Sequence, residues 1–403
     1  MSQASTSRMR KEAGASASAL FFIRSASSSA SAPLCLLLAT LCLAVLGLGC
    51  TQPEPAPERL LYTFQGTTMG TYYVAKVVQS SDAPLDEETQ EGLLQQIEQE
   101  LEAVNQAMST YLDDSELSLF NAAPADEPFQ LTDGTFEVFQ ASLEMAELTD
   151  GALDITIGPL VNAWGFGPDF STPPTMDRDR LAELMAQVGI RHLSLDASTK
   201  TATKSQESLY CDLSSLAKGF AVDRVIETLR DGGHPNVMVE VGGEVRATGV
   251  NLQGRAWRLG IENPGVAGRA VQRIVALDDK AMATSGDYRN YREHNGVRLS
   301  HLIDPRTGRP IDHRLASVSV VHDDCMRADA LATAFMILGP DEGLALAERE
   351  NIAALFLIRD GEQFVEKASS AFAQAHMPST ETNTTNGNDP TDTETANADA
   401  PSS

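Results

Sequence analysis

The sequence predicts an α+β fold with largely antiparallel sheet, and three observations carry the prediction. Runs rich in β-branched and aromatic residues follow one another in the second half of the folded region without a helix between each pair. Helical periodicity is confined to a few separate stretches. No strand–GxGxxG–helix unit occurs, so the glycines of "VGGEVRATG" (residues 241–249) read as a strand turn and not as a dinucleotide fingerprint.

In chain order, "TYYVAKVV" (residues 71–78) has strand composition. Residues 87–109 place Leu93, Leu94, Ile97, Leu101 and Val104 at the 3.6-residue period of an amphipathic helix. Two further helices are expected over residues 135–151 and 177–189, ended by Gly151 and Gly189. Strands follow at 191–196, 236–249, 256–263, 271–278, 316–322 and 352–360, with helices at 215–233 and 327–339. No short-period repeat is evident.

A chain of 403 residues has room for one large domain or two lobes. Its formal charge of -26 argues against nucleic-acid binding, which needs a basic surface. A phosphate-bearing ligand would need local Lys or Arg, helix N-termini or a divalent metal, and a metal is the simplest solution.

The two ends are expected to lie outside the fold. Residues 1–50 combine Arg8, Arg10, Lys11 and Arg24 with the apolar run "PLCLLLATLCLAVLGLGC", the pattern of an export signal. Cys50 sits where a bacterial lipoprotein is lipidated, with Gly47 in place of the usual Leu and Leu48 in place of a small residue; a signal without lipidation is the alternative. Residues 51–58 form a Pro-rich tether, 59–375 the folded domain, and 376–403 an acidic tail too poor in apolar residues to bury itself. The expected location is exported and lipid-anchored, facing the periplasm or the cell exterior. Only Cys211 and Cys325 remain in the folded region, where an oxidising compartment would allow them to pair.

Five stretches interrupt apolar elements with glycine and polar residues. "GTTMGTYY" (66–73) reads as a bulge or turn before a strand. "DGALDITIGPLVNAWGFGP" (150–168) embeds Asp154 in an apolar run; its aromatics beside glycines fit either a flat-ligand slot or a packed loop. "DLSSLAKGFAVDRV" (212–225) offers Asp212, Ser214 and Ser215 as helix caps and Lys218 within the first turns, which suits a plain cap or a phosphate site equally. "ATSGDYRNYREHNGVRLSHLIDPRTGRPI" (283–311) concentrates Arg289, Arg292, Arg298, His301, Arg306 and Arg309 in an acidic protein, with Ser300 and Asp304 near His301. In "RADALATAFMILG" (327–339) Asp329 and Thr333 share a helix face at i and i+4. A carboxylate near a helix N-terminus is favoured by the dipole alone, so that pair is ambiguous taken by itself.

Taken together, "TTMGTYY", "DGALDITIGPLVNAWGFG", "DLSSLAKGFA" with "VDRVIE", "VEVGGEVRATG", "TSGDYRNY", "SHLIDPRTGRPI" and "ADALATAFMILGP" resemble the ApbE family, bacterial FAD:protein FMN transferases. The resemblance spans nearly the whole folded region and implies a two-lobed single catalytic domain. It implies FAD contacts at Met69, Tyr111, Ala152, Leu153, Asp154, Asp212, Lys218 and Ile303, and a Mg²⁺ site at Ser215, Asp329 and Thr333. Two positions depart from some relatives: Ala332 stands where they carry a second Asp, and Lys218 where they carry an acid.

The implied reaction is Mg²⁺-dependent transfer of FMN from FAD to a Ser or Thr hydroxyl of a target protein, releasing AMP. Asp329 would serve it as metal ligand, and His301 is the candidate for taking the hydroxyl proton. The implied partners are exported or membrane-bound redox proteins. Two rivals share the same residues: a Mg²⁺-dependent FAD pyrophosphatase, in which water replaces the protein hydroxyl, and a non-catalytic flavin-binding lipoprotein.

Overall fold

The chain begins with a hairpin. Strand β1 (Arg59–Thr68) pairs antiparallel with β2 (Thr71–Ser80), and Thr68 faces Thr71, so Met69 and Gly70 alone turn the chain. Both have positive φ, 46° and 71°, as a type I′ turn requires. A methionine held there costs roughly 1–2 kcal/mol. The computed structural model describes residues 58–168, 176–264, 271–287, 291–294, 297–361 and 363–376. The expected export signal with Cys50, all of the tether but Glu58, and the acidic tail beyond His376 lie outside the described residues.

Helix α1 (Glu87–Met108) buries Leu93, Ile97, Leu101, Val104 and Met108, and Asp86 caps it by accepting from the Thr89 amide. Next come α2 (Glu116–Ala122), β3 (Phe129–Gln130), α3 (Asp133–Leu148), α4 (Gly158–Ala163) and α5 (Arg178–Met185). Strands β4 (Leu193–Asp196) and β5 (Thr201–Lys204) lead to α6 (Ala217–Asp231). Then follow β6 (Val237–Val241), β7 (Glu244–Thr248), β8 (Trp257–Glu262), β9 (Val271–Leu277) and β10 (Lys280–Gly286). The short strands β11 (Tyr291–His294), β12 (Val297–Ser300), β13 (Ile303–Asp304) and β14 (Arg309–Pro310) precede β15 (Leu315–His322). Helix α7 (Cys325–Arg349), β16 (Ala353–Asp360), β17 (Gln363–Ala368) and α8 (Ser370–His376) complete the described chain.

One eight-stranded sheet, ordered β1-β2-β6-β7-β10-β15-β16-β17, organises the rest, and every neighbouring pair in it is antiparallel. Gly242 and Gly243 form the β6–β7 turn, with Val241 opposite Glu244, so that glycine pair is the strand turn expected of it. Side chains alternate across the sheet. Val237, Val239 and Val241 join the large core that also holds α1, α6 and α7 side chains. Met238 instead joins Trp257, Leu259, Val275, Leu277 and Phe372, the cover that β8, β9 and α8 place on the opposite face.

Several boundaries differ from those expected, each for a local reason. The helix expected to run to Gly189 stops at Met185; Gly189, with φ of 136°, instead opens a 3₁₀ turn over Ile190–His192. Helix α6 starts at Ala217 with Leu216 as its N-cap and no side-chain cap bond. The capping types Asp212, Ser214 and Ser215 lie upstream, where Asp212 accepts from the Ser214 amide at 2.9 Å. Helix α7 starts at Cys325, capped by Asp324, and is broken at Gly339 (φ 79°) before Pro340. Asp329 therefore sits in the second turn, so the helix-dipole explanation for it fails. Cys211 and Cys325 are both buried and free, so the pairing that export would allow is not made.

Candidate active site

A cavity of about 730 Å³ opens where the first turn of α6, the β6–β7 turn, the end of β10 and the segment 301–305 converge. Its size lies within the range of cofactor sites. Ala152, Leu153 and Asp154 form one wall, and Tyr111, 71% exposed, stands at it. Asp154 is buried, and both its oxygens are engaged. Oδ1 accepts from the Thr156 amide and hydroxyl at 2.8 and 2.7 Å, and Oδ2 from the Ile190 amide at 3.1 Å. It therefore shapes the wall. The Asp212 amide donates to the Ile155 carbonyl at 2.7 Å and ties this wall to the approach to α6.

Phe166 and Gly167 line the cavity, as a flat-ligand slot requires. Trp164 turns away; its indole donates to the Gly308 carbonyl at 2.9 Å, and its ring packs with the small cluster of Leu160, Leu184, Val188 and Ile303. Ile303 is at once part of that cluster and of the cavity surface. His301 lines the cavity with its ring edge-on to Phe166, centroids 6.4 Å apart. The neighbouring Asp304 goes instead to Arg306, at 2.9 Å, and Arg306 also reaches Glu342. Arg289 and the side chains of Arg292 and Arg298 lie outside the described residues.

The charged centre lies at the start of α6. The Lys218 ammonium is 3.2 Å from Asp329 Oδ2 and 3.7 Å from Glu244 Oε1. Asp329 Oδ2 also accepts from the Gly219 amide at 3.1 Å, so this carboxylate caps α6 from the neighbouring helix. Burial opposes the charge on Lys218, but Asp329 and Glu244 outweigh it and raise its pKa. Burial raises Asp329 too, against Lys218 and the Gly219 amide. Burial, reinforced by Asp329 and opposed by Lys218, pushes Glu244 up to about 8. These shifts pull in different directions for one pair. The closer contact and the added amide favour an ionised Asp329 beside a charged Lys218, leaving Glu244 as the group that takes a proton.

Ser215, Lys218, Glu244 and Thr333 all line the cavity. Thr333 Oγ1 lies 3.1 Å from the Ser285 hydroxyl, and Ser285 lines the cavity too. Asp329 does not itself reach the cavity surface; it meets it through Lys218. Met69 likewise falls outside the lining and packs against the large core, three residues before the lining residue Tyr72.

A hard divalent cation suits this donor set. Carboxylate and hydroxyl oxygens dominate it, one ammonium faces two carboxylates, and Glu244 Oε2 is buried without a hydrogen-bond partner among the described residues. Glu244, Ser285 and Glu240, which accepts from the Tyr72 hydroxyl at 2.8 Å, join the site without having stood out in the sequence. A usable signal was present: "VMVEVGGEV" sets two acids in an otherwise apolar strand pair, and buried acids require a partner.

Fold and site together define an α+β protein with a cavity of cofactor size, built around a helix start and a carboxylate–ammonium cluster. The chain belongs to the ApbE family, whose sequence pattern matches residues 69–356. It is 46% identical over 307 residues to the FAD:protein FMN transferase of Vibrio cholerae, covering 76% of this chain and 90% of that protein. The solved flavin transferase ApbE of Vibrio cholerae superimposes with a TM-score of 0.72 at 44% identity, over 79% of this chain and 99% of that one. The apo flavinyl transferase ApbE of Pseudomonas stutzeri gives 0.73 at 39% identity, over 81% and 100%.

Proposed function

We propose that this chain transfers FMN from FAD to a Ser or Thr hydroxyl of a target protein and releases AMP. The observation that carries the reading is the cavity itself, in which the start of α6, Lys218 and the flat Phe166–Gly167 wall face one space. The hydroxyl oxygen attacks the FMN-side phosphorus, the bond from that phosphorus to the bridging oxygen breaks, and AMP leaves with that oxygen. His301, on the wall beside Phe166, takes the hydroxyl proton. The first turn of α6 directs its dipole, and Lys218 its charge, at the pyrophosphate. Tyr111 offers an exposed ring for stacking at the cavity wall. A Mg²⁺ held by Ser215, Asp329 and Thr333 would neutralise pyrophosphate charge and polarise its oxygens.

The acceptors in this reading are exported or membrane-bound redox proteins. The enzyme reaches them from a lipid anchor on Cys50, facing the periplasm or the cell exterior. Full-length protein incubated with FAD, Mg²⁺ and a candidate acceptor domain should yield AMP and flavin bound to the acceptor in equal amounts. Free FMN with no labelled acceptor, across several candidate acceptors, would replace the transferase reading with FAD hydrolysis.

A further inference from the structure

Glu244 is the one carboxylate of the charged cluster with an unused oxygen. Its side chain is 6% exposed and lines the cavity, yet Oε2 has no hydrogen-bond partner among the described residues. A buried acceptor left unbonded costs about 1–3 kcal/mol, and more when charged. Its other oxygen faces the Lys218 ammonium, which Asp329 holds more closely. Elsewhere between α6 and β7, Asp223 faces Arg246 one to one. Here two carboxylates share one cation. Helix α7 supplies a single carboxylate to this place, because the residue before Thr333 is Ala332, which offers no oxygen.

We infer that Glu244 is a further cation ligand, forming with Asp329 a two-carboxylate seat that the Lys218 ammonium fills until a divalent cation takes it and frees the ammonium for the nucleotide phosphates. The inference rests on the metal-dependent reading above. Lysine suits the part, being a compact point charge on a flexible four-carbon stem with three donors that re-aim without a fixed fork. The exchange is one of cations on two acids: the ammonium leaves as the metal ion arrives, and the proton that burial favours on Glu244 passes to solvent water. It gives Lys218 two stations, and it explains a buried acid whose free oxygen nothing among the described residues satisfies.

The test is Mn²⁺ binding to the full-length, FAD-free protein, followed by electron paramagnetic resonance. Glu244→Gln keeps shape and should weaken Mn²⁺ binding about tenfold or more. Lys218→Met removes the competing ammonium and should tighten it; Lys218→Gln gives the same reading should the Met variant not fold. In the wild type, Mg²⁺ should raise the rate of reductive methylation of Lys218, read by peptide mass spectrometry. Unchanged Mn²⁺ affinity in Glu244→Gln, with binding lost in Asp329→Asn, would overturn the role of Glu244 and leave the metal reading standing. Weaker binding in both Lys218 variants would overturn the exchange. A wild type that binds no Mn²⁺ would overturn the inference and the metal reading together.

Discussion

Helices α6 and α7 cap one another, and the two caps differ in one respect. Asp223 of α6 accepts from the Cys325 and Met326 amides at the start of α7, each at 2.9 Å, while Arg246 pairs with it at 2.7 Å. Asp329 of α7 accepts from the Gly219 amide in the first turn of α6, while Lys218 pairs with it at 3.2 Å. The helices touch closely enough that a Cβ on Gly219 would lie 2.3 Å from the Cys325 carbonyl oxygen. At Asp223 one carboxylate meets one guanidinium away from the cavity. At Asp329 a second carboxylate, Glu244, intrudes and the cavity adjoins. The same device thus serves as a clamp at one end and a charged centre at the other, and the excess acid marks which is which.

The sharpest way to break the comparison is to remove each carboxylate in turn. Asp329→Asn should lower kcat about a thousandfold, the several kcal/mol that a metal ion lends a charged transition state. Its stability should fall less than that of Asp223→Ala, because Asn keeps an acceptor for the Gly219 amide and Glu244 still faces Lys218. Asp223→Ala should do the reverse, costing about 3–5 kcal/mol of stability because Arg246 is left buried without its carboxylate. The folded fraction should retain most of its kcat. Steady-state kinetics and thermal unfolding on both variants decide it: a Asp223→Ala protein of normal stability with collapsed kcat would abolish the distinction between clamp and centre.

Acidity sharpens it further. Burial raises the Asp223 carboxyl from 3.8 to about 6, against Arg246 and the two helix amides and with Asp324 adding to the rise. A carboxyl so raised binds its proton more readily in the folded than in the unfolded chain. Its contribution is therefore largest below about pH 4, declines as pH rises through about 6, and is flat beyond. At 1.36 kcal/mol per unit the whole decline is about 3 kcal/mol. The stability of the wild type minus that of Asp223→Asn, measured by denaturant unfolding from pH 4 to 7, should fall across that window. A difference that rises with pH would mean that the folded state favours the ionised carboxyl.

These carboxylates also show how far the sequence could be read. Strand β2 and helix α1 were legible because their signals are local: β-branched and aromatic residues after a glycine-bracketed turn, and apolar residues every third or fourth position. The ambiguity of Asp329 was local too. "HDDCMRADA" holds several acids near one helix start, and the cap fell to Asp324, whose side chain accepts from the Arg327 amide at 2.8 Å. What periodicity cannot convey is partnership at a distance. Lys218 and Asp329 are 111 positions apart, and Asp223 and Cys325 102. Glu244 was missed for a related reason: beside the glycines of a strand turn it looks like a solvated residue, and only the sheet behind it shows that it is buried.

The smallest effect expected belongs to Ser285. Its hydroxyl is 3.1 Å from Thr333 Oγ1, and Arg359 holds the chain next to it by pairing with Asp287, with Nη1 2.9 Å from Oδ2. A single neutral hydrogen bond is worth about 1 kcal/mol, so Ser285→Ala should weaken Mn²⁺ binding about fivefold by freeing the Thr333 hydroxyl to turn. Thr333→Val, which removes the oxygen itself, should weaken it more. Were Ser285→Ala as damaging as Asp329→Asn, its hydroxyl would have to touch the cation or the nucleotide directly. The charged centre would then extend across β10 as well as between the two helices.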